Sequence, residues 1–286
     1  MLRSVWAVVL WMSLAPSDGH AAETKQETGQ NSVISYDRAV LDDHPVMFLN
    51  LGNVHNSKSE PDQTGLGHQG KYLPDGAPPV SVPMPNGDSG VEFDGARQYL
   101  EVASTPELSV PTTGILSIEA WMSFNTLQFR NQEGSGYVYW LGKGDTRQYE
   151  YAGRIYSLTN TEVPPRPNRI SGYAFNLVGG LGSGSYFQDP VQLHEWVHIV
   201  LVINTKQISP GFPTGYFLIY KNGVMRKKTA LKEFNVVPTA GSAPLRVGTM
   251  NMKSFFAGAI GKVALYNYEL TAQQIEAHNR GMVGQK

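Results

Sequence analysis

Leu193–Asn204 reads LHEWVHIVLVIN, and its reading decides the fold. Within it, HEWVH matches H-E-x-x-H, the zinc signature of metalloproteases. That signature works only on a helix, where residues i and i+4 share one face. Trp196–Ile203, WVHIVLVI, is dense in β-branched residues and contains no strong helix former beyond one Leu, so it predicts a buried strand. A strand rises about 3.3 Å per residue, which sets His194 and His198 roughly 13 Å apart. One zinc with ligands at about 2.1 Å cannot hold both. Leu201 and Asn204 also stand where the longer protease pattern needs Gly and His. The match is read as coincidental, with no zinc, and a helix here would overturn the reading.

Working outward, short segments rich in β-branched and aromatic residues alternate with Gly, Pro and Asn. They are Gly90–Gly95, Gln98–Val102, Ile115–Phe124, Tyr137–Lys143, Arg154–Leu158, Ser171–Val178, Tyr216–Val224, Leu245–Gly248 and Gly258–Tyr268. In ILSIEAWMSF, Leu116, Ile118, Ala120, Met122 and Phe124 alternate with Ser117, Glu119, Trp121 and Ser123, which puts one face in a core. Lys221-Asn222-Gly223 predicts a type I′ hairpin turn. Ser35–Leu41 predicts a short helix. Thr271 with Gln274 forms a capping box that starts another, running to about Arg280 with Gly281 as its stop.

The bulk numbers agree with an all-β chain. Of 286 residues, 30 are Gly, 18 Pro and 14 Tyr, and only 16% are charged. Formal net charge is −1, and no basic block is denser than Arg226–Lys228, so the chain lacks the footprint of a nucleic-acid binder. Cysteine is absent, which excludes disulfides, thiolate metal sites and a cysteine nucleophile. Residues 1–21 read as a cleaved secretory signal, with Arg3 as the positive region and Val5–Ala15 as the apolar one. The expected location is therefore secreted or periplasmic. Residues 22–34 read as a flexible leader, 35–281 as one domain and 282–286 as a tail. No other run is long and apolar enough to span a membrane.

The ordered motifs carry a resemblance. YDRAVLDDHPVMFLNLG (Tyr36–Gly52), DQTGLGHQGKY (Asp62–Tyr72), VEFDG with QYLEV (Val91–Val102), LSIEAW (Leu116–Trp121), LGKGD (Leu141–Asp145), EWVHIV (Glu195–Val200), YKNG (Tyr220–Gly223), PLRVG (Pro244–Gly248) and Phe255–His278 follow one another. Together they closely resemble laminin G-like, concanavalin A-like lectin/glucanase domains. The resemblance implies a jelly-roll sandwich of two antiparallel sheets with short N- and C-terminal helices. Such domains include sugar binders, adhesion modules and some polysaccharide-degrading enzymes, so fold does not settle function.

Several constellations then compete. Gly179–Gly184 lacks the following helix that a phosphate loop needs, since SYFQDPV comes next. It reads as a loop between strands, and with Tyr186, Phe187 and Asp189 as a ligand-contacting one. Sandwich glucanases carry three spaced carboxylates, whereas Glu92-Phe-Asp94-Gly-Ala-Arg97 lacks the third. The R-[ST]-E motif of sandwich alginate lyases is not found. The resemblance suggests Ca²⁺ at Asp62-Gln-Thr64-Gly65-Leu-Gly67, but Gly261-Lys262 replaces a carboxylate the family commonly carries on its last strand. Capping of a turn by Asp62 is the alternative. Trp140, Tyr173, Tyr186 and Tyr220 lie near loop ends and are candidate sugar platforms, while Trp121 and Trp196 are expected inside. The resulting reading is a non-catalytic module binding carbohydrate or a glycoconjugate through Trp140, Tyr173, Tyr186, Phe187 and Asp189. A polysaccharide lyase or glycoside hydrolase of the same fold, or a structural adhesion domain, is the alternative.

Overall fold

A computed structural model describes residues 35–52 and 58–284. The signal and leader expected over residues 1–34 lie outside the described residues. The first strands are β1 (Met47–Leu49), β2 (Ser59–Glu60), β3 (Gly70–Leu73), β4 (Val80–Pro83), β5 (Ser89–Asp94), β6 (Tyr99–Val102), β7 (Ile115–Phe124) and β8 (Tyr137–Lys143). They are followed by β9 (Tyr151–Tyr156), β10 (Ile170–Ala174), β11 (Ser183–Phe187), β12 (Val197–Asn204), β13 (Tyr216–Lys221), β14 (Val224–Ala230), β15 (Leu245–Val247) and β16 (Ala257–Tyr266). Helix α1 (Tyr36–Asp42) precedes them and α2 (Ala272–Val283) closes the chain of elements.

Val197–Asn204 of LHEWVHIVLVIN forms β12, buried at every position and paired antiparallel with β7 on one side and β13 on the other, while Leu193–Glu195 ahead of it are exposed. The strands form two antiparallel sheets. The first runs β14-β13-β12-β7-β16-β5-β4, with β1 also paired to β16, and the second runs β11-β10-β9-β8-β15-β6-β3-β2. The core fills the space between them with the period-two positions of each strand, such as Leu116, Ile118, Met122 and Phe124 against Val138, Trp140, Ile155 and Leu245.

The alternation read in β7 is correct for this face, but the opposite face is buried as well. Both helices lie over it, packing Tyr36, Val40, Ile275 and Met282 on Phe48, Trp121, Val200 and Leu218. The capping box forms as the sequence predicts, with Thr271 Oγ1 accepting the Gln274 N–H. Gly281 does not end α2, however. The helix continues to Val283 because Met282 is buried against the sheet, and Gly284 takes the positive φ at the end. Asn222 and Gly223 both have positive φ, as the type I′ turn between β13 and β14 requires.

The core is close-packed around Trp140. A methyl group on Gly153 of β9 would lie 2.2 Å from Trp140 Cε2. Gly153→Ala is therefore expected to cost about 1–3 kcal/mol by overpacking, read as a lowered midpoint in urea unfolding. An unchanged midpoint would show that the indole has room to move.

Candidate functional site

Among the described residues no helix covers the outer face of the second sheet, which is rich in tyrosine and arginine. Strand alternation places these side chains there. Tyr137 and Tyr139 stand opposite Val138 and Trp140 on β8, and Arg154 and Tyr156 opposite Ile155 on β9. Cross-strand register brings Tyr139 beside Arg154, Arg154 beside Ser171, and Ser171 beside Tyr186.

Two adjoining depressions lie on this face. The larger, about 490 Å³, is lined by Tyr137, Arg154, Tyr156, Glu162, Arg166, Arg169, Tyr173 and Tyr186, with Gly180–Gly182, Glu233 and Phe234 at its wall. The smaller, about 320 Å³, shares Tyr137, Arg154 and Gly180 and adds Glu133, Tyr139, Arg147 and Tyr149. Arg154 thus stands where the two meet.

The guanidinium of Arg154 is held by rings. Its central carbon lies 4.1 Å from the Tyr137 ring centre, 4.9 Å from Tyr139 and 4.7 Å from Tyr173, and Nη2 donates to Tyr139 Oη at 2.7 Å. Arg169 covers the Tyr186 ring at 3.9 Å and Lys227 approaches the same ring at 3.7 Å. Arg166 donates to Tyr156 Oη at 3.2 Å and pairs with Glu162 at 3.3 Å, and Glu162 also accepts from Ser135 Oγ. Burial pushes the Tyr173 hydroxyl up to about 12 and the Tyr139 hydroxyl higher still. Tyr186 moves the other way, because the Lys227 ammonium beside it favours the phenolate.

The five candidate ligand residues do not share one place. Tyr173 and Tyr186 line the larger depression. Trp140 is fully buried between the sheets, so its ring offers no face to a ligand, because its position is in phase with Val138. Phe187 follows Tyr186 on one strand and therefore points inward, where it is buried. Asp189 is paired with Arg226 and Lys221 and lines neither depression. Tyr220 is buried beneath the helices. The segment read as one loop from Gly179 to Asp189 is a short loop followed by edge strand β11. Arg154, Tyr137, Tyr156, Arg166 and Arg169 were not among the candidates. The alternation of tyrosine with Val138 and Trp140 in β8 is the signal that could have found the tyrosine face.

Asp62 caps a turn. It accepts hydrogen bonds from the backbone N–H groups of Phe48 and Thr64, both at 3.1 Å, from Thr64 Oγ1 at 2.8 Å and from the His68 N–H at 3.0 Å. Burial alone would raise its pKa, but these donors hold it below the ordinary carboxylate value. Lys262 meanwhile sets its own ammonium 2.6 Å from Asp37, 2.8 Å from Asp88 and 3.2 Å from Asn50. Oxygens so engaged do not fit the open set of six to eight that Ca²⁺ takes. Among the described residues no group of three or more His, Cys, Asp or Glu is placed to hold a metal ion. The two histidines of HEWVH have separate surroundings: His194 is exposed ahead of β12, while His198 is buried and its Nε2 donates to Glu119 at 2.7 Å.

The family profile that matches the sequence covers residues 94–276, well over half of the chain. This chain belongs to the concanavalin A-like lectin/glucanases superfamily. No curated protein sequence matches it. Among solved structures, this superfamily member is similar to the binding domain of botulinum neurotoxin DC in complex with SialylT, with a TM-score of 0.59 at 14% identity, covering 85% of this chain and 52% of that one. The same toxin domain in complex with rat synaptotagmin II gives a TM-score of 0.59 at 14% identity, covering 84% and 52%. This chain thus spans about half the length of those toxin structures. Domain 4 of AbnA, a GH43 extracellular arabinanase from Geobacillus stearothermophilus, in complex with arabinotriose, gives a TM-score of 0.52 at 14% identity, covering 82% of this chain and 98% of that one. At such identities the likeness is one of fold. Among the described residues, no helix is long and apolar enough to cross a membrane.

Proposed function

We propose that this chain is a secreted or periplasmic, non-catalytic carbohydrate-binding module whose ligand lies along the tyrosine and arginine face of the second sheet. One observation carries the reading: the partly exposed rings of Tyr137, Tyr173 and Tyr186 are gathered around two connected depressions on a single face. Such rings offer apolar surfaces to pyranose C–H groups, while the guanidinium groups between them donate to hydroxyls. Two of the structural neighbours were solved with SialylT and arabinotriose, which is in keeping with a sugar ligand for this fold. Tyr173→Ala and Tyr186→Ala should each weaken glycan binding by about 0.5–1.5 kcal/mol, measured by calorimetry, and leave unfolding transitions nearly unchanged. Silence of the wild-type full chain on a broad glycan array, with folding intact, would count against the proposal and for the adhesion-domain alternative.

A second reading draws on the same convergence of Tyr with Arg. A polysaccharide lyase needs a base to remove the proton beside a carboxylate, a cation to neutralise that carboxylate and an acid for the leaving sugar oxygen. Tyr186 is the groove hydroxyl whose pKa is lowered; as phenolate it would take that proton, a C=C bond would form as the glycosidic C–O bond at the next carbon breaks, and the same hydroxyl would return the proton to the leaving oxygen. Release of unsaturated, ultraviolet-absorbing products by the wild type, abolished in Tyr186→Phe, would establish that reading over the non-catalytic one.

A further inference from the structure

The chain contains several buried or nearly buried cations, and their partners differ in kind. Lys143 is answered by Glu150, Arg246 by Glu101, and Lys262 by Asp37 and Asp88. Arg154 has no carboxylate in salt-bridge range among the described residues. The groups around its guanidinium are instead the rings of Tyr137, Tyr139 and Tyr173 and the Tyr139 hydroxyl. Its Nε–H is buried and has no hydrogen-bond partner among the described residues. A guanidinium has five donors, and the structure engages one of them with Tyr139. Leaving such a group without an anion is costly in a protein, and ring faces offset only part of that cost.

The position adds to the chemistry. Arg154 is where the two depressions meet, so a chain of sugars occupying both would pass directly over it. Arg169 and Lys227 add positive charge around Tyr186, and Arg147, Arg154, Arg166 and Arg169 line the two depressions against Glu133, Glu162 and Glu233, of which Glu162 is paired with Arg166 and Glu133 accepts from Asn251 and Ser254. The face is therefore set for a ligand that brings negative charge.

Resting on the carbohydrate-binding reading above, we infer that the glycan held here is acidic, with a carboxylate or sulfate of its central residue seated on Arg154 between Tyr137 and Tyr173. Bidentate recognition of a planar or tetrahedral anion is what distinguishes a guanidinium from the hydroxyl donors that suffice for neutral sugars.

The test uses the full chain on an array of uronate-containing, sulfated and neutral glycans. Paired probes are then polygalacturonate with its methyl ester, and dextran sulfate with dextran. The expected result is binding to acidic members only. Loss on methyl esterification identifies a carboxylate, and preference for dextran sulfate over dextran identifies a sulfate. Affinity should fall as salt rises, since the attraction is screened. Arg154→Gln should weaken binding about tenfold to a hundredfold, the range for a hydrogen bond to a charged group. Because Arg154 also orders the rings around it, Arg169→Gln at the rim serves as the second variant. It should weaken acidic ligands and reduce the salt dependence while its thermal unfolding stays that of the wild type. Neutral-glycan binding that ignores salt and both substitutions would overturn this inference and leave the carbohydrate reading standing. A silent array would overturn both.

Discussion

Glu119→Ala should cost about 3–5 kcal/mol of folding free energy at neutral pH, the range for stripping one partner from a buried charge pair. Glu119 is fully buried on the helix-covered face of the first sheet. Its carboxylate accepts from Tyr36 Oη at 2.8 Å, His198 Nε2 at 2.7 Å, Tyr266 Oη at 3.0 Å and His278 Nδ1 at 2.9 Å. Tyr36 belongs to α1 and His278 to α2, so one side chain ties both helices to the sheet. His278 Nε2 also faces Asp43 at 3.0 Å, and only an imidazolium donates from both nitrogens. Without Glu119 that cation loses its main partner, and three other donors are left buried. Urea unfolding checks the value, and a loss below about 1 kcal/mol would contradict this account.

The same cluster sets a pH dependence. Burial alone would lower the His278 pKa, but Glu119, by charge and hydrogen bond, and then Asp43 push it up to about 9. A raised folded-state value means stabilisation that is complete below the unfolded value near 6.5 and lost as pH rises through about 9, on the order of 3 kcal/mol. Glu119 is shifted the other way. Burial would raise its pKa, but the His278 charge and the bonds from both histidines hold it far below the ordinary value. Its contribution is present above about pH 4.5 and is lost only in strong acid. Stability should therefore decline between pH 6.5 and 9 in the wild type and follow a flatter course in Glu119→Ala.

Trp140→Ala should also cost about 3–5 kcal/mol, the range for deleting a large core aromatic. Trp140 is fully buried, and Gly153 supplies the space its ring occupies. Neighbouring strands are fixed by their hydrogen-bond ladders and cannot close over the void. Its Nε1–H has no hydrogen-bond partner among the described residues, so the loss is one of packing rather than of a hydrogen bond. Tyr173→Ala, two strands away on the open face, should show the reverse: weaker binding with little loss of stability. If Trp140→Ala unfolded like the wild type yet lost ligand, the assignment of faces on β8 would be wrong.

These two residues also show what was legible in the sequence. The β-branched density of Trp196–Ile203, the Asn222-Gly223 turn and the Thr271–Gln274 capping box are local signals, and local sterics and hydrogen bonding sufficed to read them. With the ordered motifs, they gave the sandwich and the failure of HEWVH as a helical zinc motif. Which candidate residues share one face was only partly readable. Tyr173 and Tyr186 line one depression, but Trp140 was read from its nearness to a loop end and Phe187 from the glycine-rich stretch before it, when the strand period decides which face each side chain occupies.

Tertiary structure decided the rest. Glu119 becomes a buried anchor because α1 and α2, distant in sequence, fold over one sheet and bring Tyr36 and His278 to it. Arg154 becomes the centre of a groove because register places it beside Tyr139 and Ser171, strands that local sequence cannot align. The sequence by itself determined that these strands form and which residues alternate along them. Only the packed sheets determined which face the helices cover, because cover comes from elements far along the chain, and with it the difference between a core carboxylate such as Glu119 and an arginine such as Arg154 that lines a depression.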